Sequence, residues 1–396
     1  MNKLTIRDID IKGKRLLVRV DYNVPLTPDG KIADDTRIAA TLPTIEYIIN
    51  NQGVPILMSH LGKPKGKRLT ELSLRPVAQR LSELLSREVV FVEDVYNPSL
   101  KSTLIKAQAG SVFLLENLRF YPEEEKNDEN FARYLASLGD IYINDAFATA
   151  HRAHASTYGV AKFSQYAVAG LLMEKEINYL SYLLAEPARP YVAIVGGAKI
   201  KDKLGVIKNL LKKVDNLLLG GGLIFNFYKG LGYEIGRSIY DPEMADETQA
   251  LIALGSPKLH LPTDLLIADK VAEDARTKNV QAHEILPDWI GVSLGEETTA
   301  RYCEVIKQAQ TVVWAGPVGI FEISKFLRAS EEIGQAIAQA TANGATSVIG
   351  GGDTVACLQK LGLKNRVSFI STGGGATLEF LEGKSLPGIE ILNDKS

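Results

Sequence analysis

In the first half of the chain, polar and cationic residues gather directly behind short apolar runs. Asp21, Asn23 and Pro25 follow Arg15 to Val20, and Ser59-His60-Leu61-Gly62-Lys63-Pro64 follows Val54 to Met58. Glu116-Asn117-Leu118-Arg119-Phe120 follows Val112 to Leu115, and Asn144-Asp145-Ala146-Phe147 and His151-Arg152-Ala153-His154 follow Ile141 to Ile143. Arg37 opens a helical pattern behind Asp34-Asp35-Thr36. A capping Asp or a surface Arg accounts for any one of these residues. Taken together they suit an anion site, because guanidinium forks and ammonium charges match a phosphate plus a carboxylate.

The second half ends its apolar runs in glycines instead: Gly196-Gly197-Ala198-Lys199, Gly220-Gly221-Gly222, Gly316-Pro317-Val318-Gly319, Gly350-Gly351-Gly352-Asp353-Thr354 and Ser371-Thr372-Gly373-Gly374-Gly375. Such loops let main-chain N–H groups approach phosphate oxygens, and a following helix adds its positive end. One glycine pair is usually a tight turn, but this many in one half point to a nucleotide. Neither GxxxxGK[ST] nor GxGxxG is present, which argues against P-loop and dinucleotide sites. Lys199 and Lys203, spaced i,i+4, are expected one helical turn apart and able to face a transferring phosphate. Asp353 is the magnesium candidate, since Mg²⁺ on a nucleotide takes one or two carboxylates and keeps its waters; an N-cap role is its rival.

These loops need parallel strands behind them, and open parallel sheets bind ligands beyond the carboxyl ends of their strands. Besides those above, Val89 to Val92 reads as a strand in the first half; in the second, Val192 to Val195, Asn216 to Leu219, Leu265 to Ala268, Thr311 to Trp314, Thr346 to Ile349 and Val367 to Ile370 do so. Helical patterns alternate with them, the signature of βα repeats. A helix from Leu171, closed by Glu186-Pro187-Ala188-Arg189-Pro190, separates the two sets.

The expected fold is α/β: two doubly wound, Rossmann-like parallel-sheet domains joined by this helix, with a cleft between them. The boundaries read as 1–170, a connecting helix at 171–187, 188–385, and a segment at 386–396 returning to the first domain. At 396 residues the chain suits two domains, and its net charge of −2 suggests neither a nucleic-acid nor a membrane surface. Cys303 and Cys357 are too few for a disulfide framework, and no signal-like apolar run opens the chain, so the cytoplasm is the expected location.

The motifs RVDYNVPL, DDTRI, SHLGKP, ENLRFYPEEEKND, INDAFATAHRAHAS, GGAKIKDK, GGGLIFNF, LPTDLLIADK, WAGPVGIFE, GGGDT and STGGGATLEFLEGKSLPG resemble, in this order, those of the phosphoglycerate kinase family, and they cover nearly the whole chain. The resemblance implies a kinase of glycolysis, gluconeogenesis or carbon fixation. Its reaction is reversible phosphoryl transfer from 1,3-bisphosphoglycerate to Mg-ADP, giving 3-phosphoglycerate and Mg-ATP. It implies a Mg²⁺ cofactor, a monomer that closes about a hinge, and no nucleic-acid or membrane partner. The acid-substrate residues map onto Asp21, Tyr22, Asn23, Arg37, His60, Leu61, Gly62, Lys63, Arg119 and Arg152. The nucleotide residues map onto Gly196, Gly197, Lys199, Lys203, Gly221, Gly291, Glu322, Gly351, Gly352, Asp353 and Thr354.

In such enzymes Glu322 holds the ribose hydroxyls and Asp353 the metal. Gly373 to Gly375 flank the transferring group, which makes Gly374 catalytic beside Arg37, Lys199 and Lys203. Lys63 stands where most members have arginine, Ala148 where they have glycine and Ala315 where they have asparagine. The stretch Gly291 to Glu296 lacks the Asp and Pro of GLDIGP. An oxidoreductase would share the doubly wound pattern, but GxGxxG is missing. A binding-only relative fits poorly with Arg37, Lys199, Lys203 and Asp353 all present.

Overall fold

The computed structural model describes residues 2–254 and 256–395. The chain forms two compact units, Met1–Asn178 with Ser385–Ser396, and Tyr179–Lys384. The Leu171–Leu184 helix carries the chain from the first to the second.

The first unit is built on β1 (Arg15–Arg19), β2 (Val54–Met58), β3 (Val89–Val92), β4 (Val112–Leu115), β5 (Ile141–Asn144) and β6 (Ala167–Ala169). They form one parallel sheet in the order β3-β4-β2-β1-β5-β6. Runs such as Val-Pro-Ile-Leu-Met in β2 and Val-Phe-Leu-Leu in β4 are buried at every position, as expected where helices cover both faces. The Thr36–Asn50 and Arg75–Leu85 helices supply Ile38, Ile45, Ile48, Val77 and Leu81 to the core formed with Leu16, Val18, Leu57 and Ile143. The chain turns to opposite sides of the sheet between β1 and β5, so the loops after these two strands flank the topological switch point.

The last residues are tied to the same unit. Leu4 N donates to Asn393 O at 2.8 Å, and Asn144 Nδ2 donates to Gly388 O at 2.9 Å.

The second unit contains β7 (Tyr191–Val195), β8 (Asn216–Leu219), β9 (Leu259–His260), β10 (Asp264–Ala268), β11 (Thr277–Gln281), β12 (Ile290–Leu294), β13 (Thr311–Ala315), β14 (Thr346–Gly350) and β15 (Phe369–Ile370). Its parallel sheet runs β15-β14-β13-β7-β8-β9, with the switch point between β7 and β13. The Glu296–Lys307 and Arg328–Ala342 helices pack Tyr302, Ile306, Ile333 and Ile337 against Val312, Trp314 and Ile349.

Leu265 to Ala268 is a strand, but it does not join the parallel sheet. It lies in a three-stranded antiparallel sheet, β11-β10-β12. The connection from Ala268 to Thr277 is too short for a parallel crossover, which needs about a dozen residues or more, and long enough for a hairpin. The expected strand at Val367 to Ile370 is confined to Phe369–Ile370. Among the described residues no helix is long and apolar enough to cross a membrane.

Candidate active site

In the first unit the residues after β1, β2, β4 and β5 meet around His60. Asp21 receives the Arg37 guanidinium at Oδ2, while its Oδ1 is 3.9 Å from His60 Nδ1. Asn23 Oδ1 accepts from Gly62 N at 2.8 Å, locking the loop after β1 to the loop after β2. Arg119 Nη1 donates to Gly62 O at 2.9 Å, and its Nε is 3.3 Å from Glu125 Oε1. Asn117 Nδ2 donates to Leu61 O at 2.7 Å. Leu61, His60 and Arg119 are buried, Gly62 is half-buried, and Lys63 and Arg152 are exposed. Tyr22 is fully buried, main chain included, with its hydroxyl 2.9 Å from Thr41 Oγ1 and its N–H donating to Ser59 Oγ at 2.8 Å.

Burial, and then the charges of Arg19, Arg119, Arg152 and Arg37 in that order, hold the His60 imidazole well below its usual pKa. These are four elements of one basic cluster. Arg19 was not among the residues singled out from the sequence. The signal available was its place as the charged end of a strand otherwise apolar from Leu16, and it is 1% exposed. His154 belongs to the same cluster; burial first, then Arg119, Arg19 and Arg152, bring its pKa down to about 4.

In the second unit a groove of about 270 Å³, open to solvent, runs along the glycine loops. Its apolar end is lined by Ile239, Phe225, Gly291, Val292 and Val318, with Glu322 on its rim. Gly291 has a specific use, since a Cβ there would stand 2.3 Å from the Phe225 ring. Gly197, Ala198, Pro317 and Asp353 continue into a second, polar part lined also by Lys199, Asp202, Lys203, Gly351, Gly352, Thr354 and Gly374. Gly196 packs beneath this junction, its N–H donating to Ala315 O at 3.2 Å. Gly221 has φ +67° and lies so close to Gly197 that a Cβ would meet its nitrogen at 2.6 Å. Gly374, at φ +54°, introduces the Gly375–Leu381 helix and leaves open space where a side chain would stand.

Lys199 and Lys203 both line the polar part, but they are not one turn apart on a helix. Lys199 lies in an exposed loop and Lys203 in the turn before the Leu204–Leu211 helix, since regular winding begins only at Leu204. Lys203 is 9% exposed. Burial lowers its pKa, opposed by the nearby carboxylates of Asp353, Asp202 and Glu382. Ser293, in β12, lines the apolar part, and its buried Oγ has no hydrogen-bond partner among the described residues.

Among the described residues no cluster of three or more His, Cys, Asp or Glu forms a metal cage. Asp353, exposed at the start of the Gly352–Lys360 helix, is the carboxylate shared by both parts of the groove. A single carboxylate suits Mg²⁺ that arrives on a nucleotide and takes its other ligands from phosphate and water.

Comparison with known proteins points to one family. The family model described as phosphoglycerate kinase matches residues 6–384. The phosphoglycerate kinase of Thermosipho africanus is 49% identical over 399 residues, covering 100% of this chain and 99% of the relative. That of Chlorobium limicola is 51% identical over 397 residues, covering 100% of both. Among solved structures, phosphoglycerate kinase from Coxiella burnetii superposes with a TM-score of 0.89 at 41% identity, covering 98% of each chain. The enzyme from Pyrococcus horikoshii gives 0.84 at 32% identity, again with 98% coverage of each. The chain belongs to the phosphoglycerate kinase family, whose reaction is reversible phosphoryl transfer between 1,3-bisphosphoglycerate and ADP.

Proposed function

We propose that the first unit holds 3-phosphoglycerate or 1,3-bisphosphoglycerate and the second holds Mg-ADP or Mg-ATP. The observation that carries this reading is the division of chemistry. One unit gathers guanidinium groups around a neutral histidine, and the other runs a glycine-lined groove from an apolar end to a buried lysine.

Lys63, Arg119 and Arg152 bind the 3-phosphate of the acid substrate, with Asn23, His60, Tyr22, Leu61 and Gly62 shaping the site around its body. Asp21 steers the Arg37 guanidinium, which faces the reacting carboxyl and the oxygens of the moving phosphoryl group. The base of the nucleotide lies against Phe225, Gly291 and Val318, and Glu322 receives the ribose hydroxyls. Gly196, Gly197, Gly221, Gly351, Gly352 and Thr354 shape the walls along the phosphates. When bound, Mg²⁺ neutralises phosphate charge, and Asp353 is the residue that would hold it.

The acceptor is already a carboxylate, so no general base is needed, and the protein's task is positioning and charge. Lys199 and Lys203 oppose the negative charge on the transferring group, with Gly374 leaving room beside it. A largely buried ammonium acts strongly because little water screens it. The two ligands are assigned to different units, so transfer requires the units to close until reacting atoms lie within ~3.5 Å and water is excluded. The helix at 171–187 and the segment at 386–388 are the hinge elements in this reading, between domains at 1–170 and 188–385. All assigned residues come from one chain, which suits a monomer, and two free buried cysteines suit the cytoplasm.

Arg37→Ala tests the assignment. Losing a contact made chiefly in the transition state lowers kcat by roughly 10²-fold or more and leaves the Mg-ADP dissociation constant unchanged. Near-normal turnover removes Arg37 from the reacting centre.

A further inference from the structure

Beneath the basic cluster runs a chain of buried polar groups that the reaction as assigned does not use. Glu124 and Ser156 are fully buried and Arg19 is 1% exposed. A π-helical turn at Ala155–Gly159 places Ser156 so that its N–H donates to Glu124 Oε2 at 2.9 Å and its hydroxyl donates to Glu124 Oε1 at 2.5 Å. With its proton committed to the carboxylate, Ser156 Oγ accepts from Arg19 Nε at 2.8 Å. Arg19 Nη1 donates to Val20 O, and Nη2 lies 3.2 Å from His60 Nδ1.

The links made by Arg19 have only one workable direction. A guanidinium has donors and no acceptor, so His60 Nδ1 must be the acceptor in its contact with Arg19. Asp21 Oδ1, at 3.9 Å, is too far to take a proton from that nitrogen. A neutral imidazole that accepts at Nδ1 carries its hydrogen on Nε2. We propose that Glu124, Ser156 and Arg19 act as a buried positioning relay that holds His60 as the neutral Nε2–H tautomer, presenting a single fixed donor to the acid substrate.

The relay also explains why a carboxyl and a guanidinium are spent where no ligand reaches. When ionised, Glu124 supplies a counter-charge to Arg19 through Ser156, whose lone pair, not its proton, faces the guanidinium. Burial raises the Glu124 pKa, while Arg19 and Arg119 lower it. Around the imidazole stand Arg19, Arg119, Arg152, Arg37 and Asp21, and the four cations oppose a second proton. A buried imidazolium facing Arg19 would place donor against donor.

The substrate half of this inference rests on the assignment of His60 to the acid site, whereas the tautomer does not. Long-range ¹H–¹⁵N NMR of the full chain at neutral pH reads the tautomer directly in the absence of ligand. The relay predicts a protonated Nε2 and an unprotonated Nδ1 for His60; an Nδ1–H tautomer or an imidazolium overturns it. Adding 3-phosphoglycerate should then move the Nε2 signal. If the tautomer is as stated and the signal does not move, the donor role and the acid-site reading of His60 fail while the relay stands.

Two variants examine the supporting groups. Ser156→Ala and Glu124→Gln should mix the two tautomers and raise the KM for 3-phosphoglycerate roughly tenfold, the effect of losing one well-aligned hydrogen bond, with the KM for Mg-ATP unchanged. Ser156→Thr, which keeps the hydroxyl, should restore both readouts. Unmixed tautomers with an unchanged KM in both variants overturn the role of Glu124 and Ser156, and the wild-type spectrum remains decisive if either variant does not fold.

Discussion

The Thr354 hydroxyl accepts a 2.7 Å hydrogen bond from the Gly316 main-chain N–H, and both residues are buried. The bond ties the first turn of the Gly352–Lys360 helix to the loop after β13, so the two loops that line the polar part of the groove are held to each other. Thr354→Val keeps the branched shape and removes the acceptor, leaving a buried N–H unpaired at a cost of about 1–3 kcal/mol. Mg-ADP affinity should fall roughly tenfold while 3-phosphoglycerate affinity holds, as calorimetric titration would show. Equal weakening of both ligands would mean the bond serves overall stability instead.

Lys203 and Asp353 act on each other electrostatically, yet their loss should have different consequences. Lys203→Ala removes a buried charge needed as the phosphoryl group moves, so kcat falls by about 10²-fold or more with a smaller change in nucleotide affinity. Asp353→Ala weakens Mg-nucleotide binding and shifts the Mg²⁺ concentration for half-maximal activity upward. A magnesium titration of activity in both variants checks this. An unchanged metal dependence in the Asp353 variant takes that residue out of the metal site.

Asp145 gives the fold a pH dependence of definite sign. Its Oδ1 accepts from Leu172 N at 2.9 Å and Met173 N at 3.0 Å, at the start of the Leu171–Leu184 helix, while its buried Oδ2 makes no well-formed hydrogen bond among the described residues, although the nearby Thr44 hydroxyl favours the ionised form. Burial pushes its pKa from the ordinary 3.8 up to about 6. The folded state therefore favours the protonated form. Its contribution to stability is complete below pH ~4 and is lost as pH rises through ~6. Asp145→Asn keeps an acceptor and cannot ionise, so between pH 4 and pH 7.5 it should gain about 2–3 kcal/mol relative to the unsubstituted protein. Urea unfolding at both pH values measures this, and a constant difference between the two proteins would contradict it.

The candidate sites were legible wherever local composition carried their chemistry. Strand ends that empty into His60-Leu61-Gly62-Lys63 or Gly350-Gly351-Gly352-Asp353 announce themselves, since both the apolar run and the polar or glycine stop are local. What depended on distant packing was not legible. β6 is only Ala-Val-Ala, with too little β-branched character to stand out, and β12 carries Gly291 and Ser293 and reads as a loop. β11 is polar with no buried position, being the edge of a small antiparallel sheet. The contacts of Arg19 with Ser156 and of Ser156 with Glu124 join residues far apart in sequence, and nothing near any one of them marks the other two.

The central claim is that the two sites serve one reaction, in which a carboxylate accepts the phosphoryl group. Incubating the protein with Mg-ATP and 3-phosphoglycerate in the presence of hydroxylamine traps any acyl phosphate as a hydroxamate. The account predicts hydroxamate and ADP in equal amounts, both strictly dependent on 3-phosphoglycerate. ATP consumption that releases inorganic phosphate and yields no hydroxamate would contradict it.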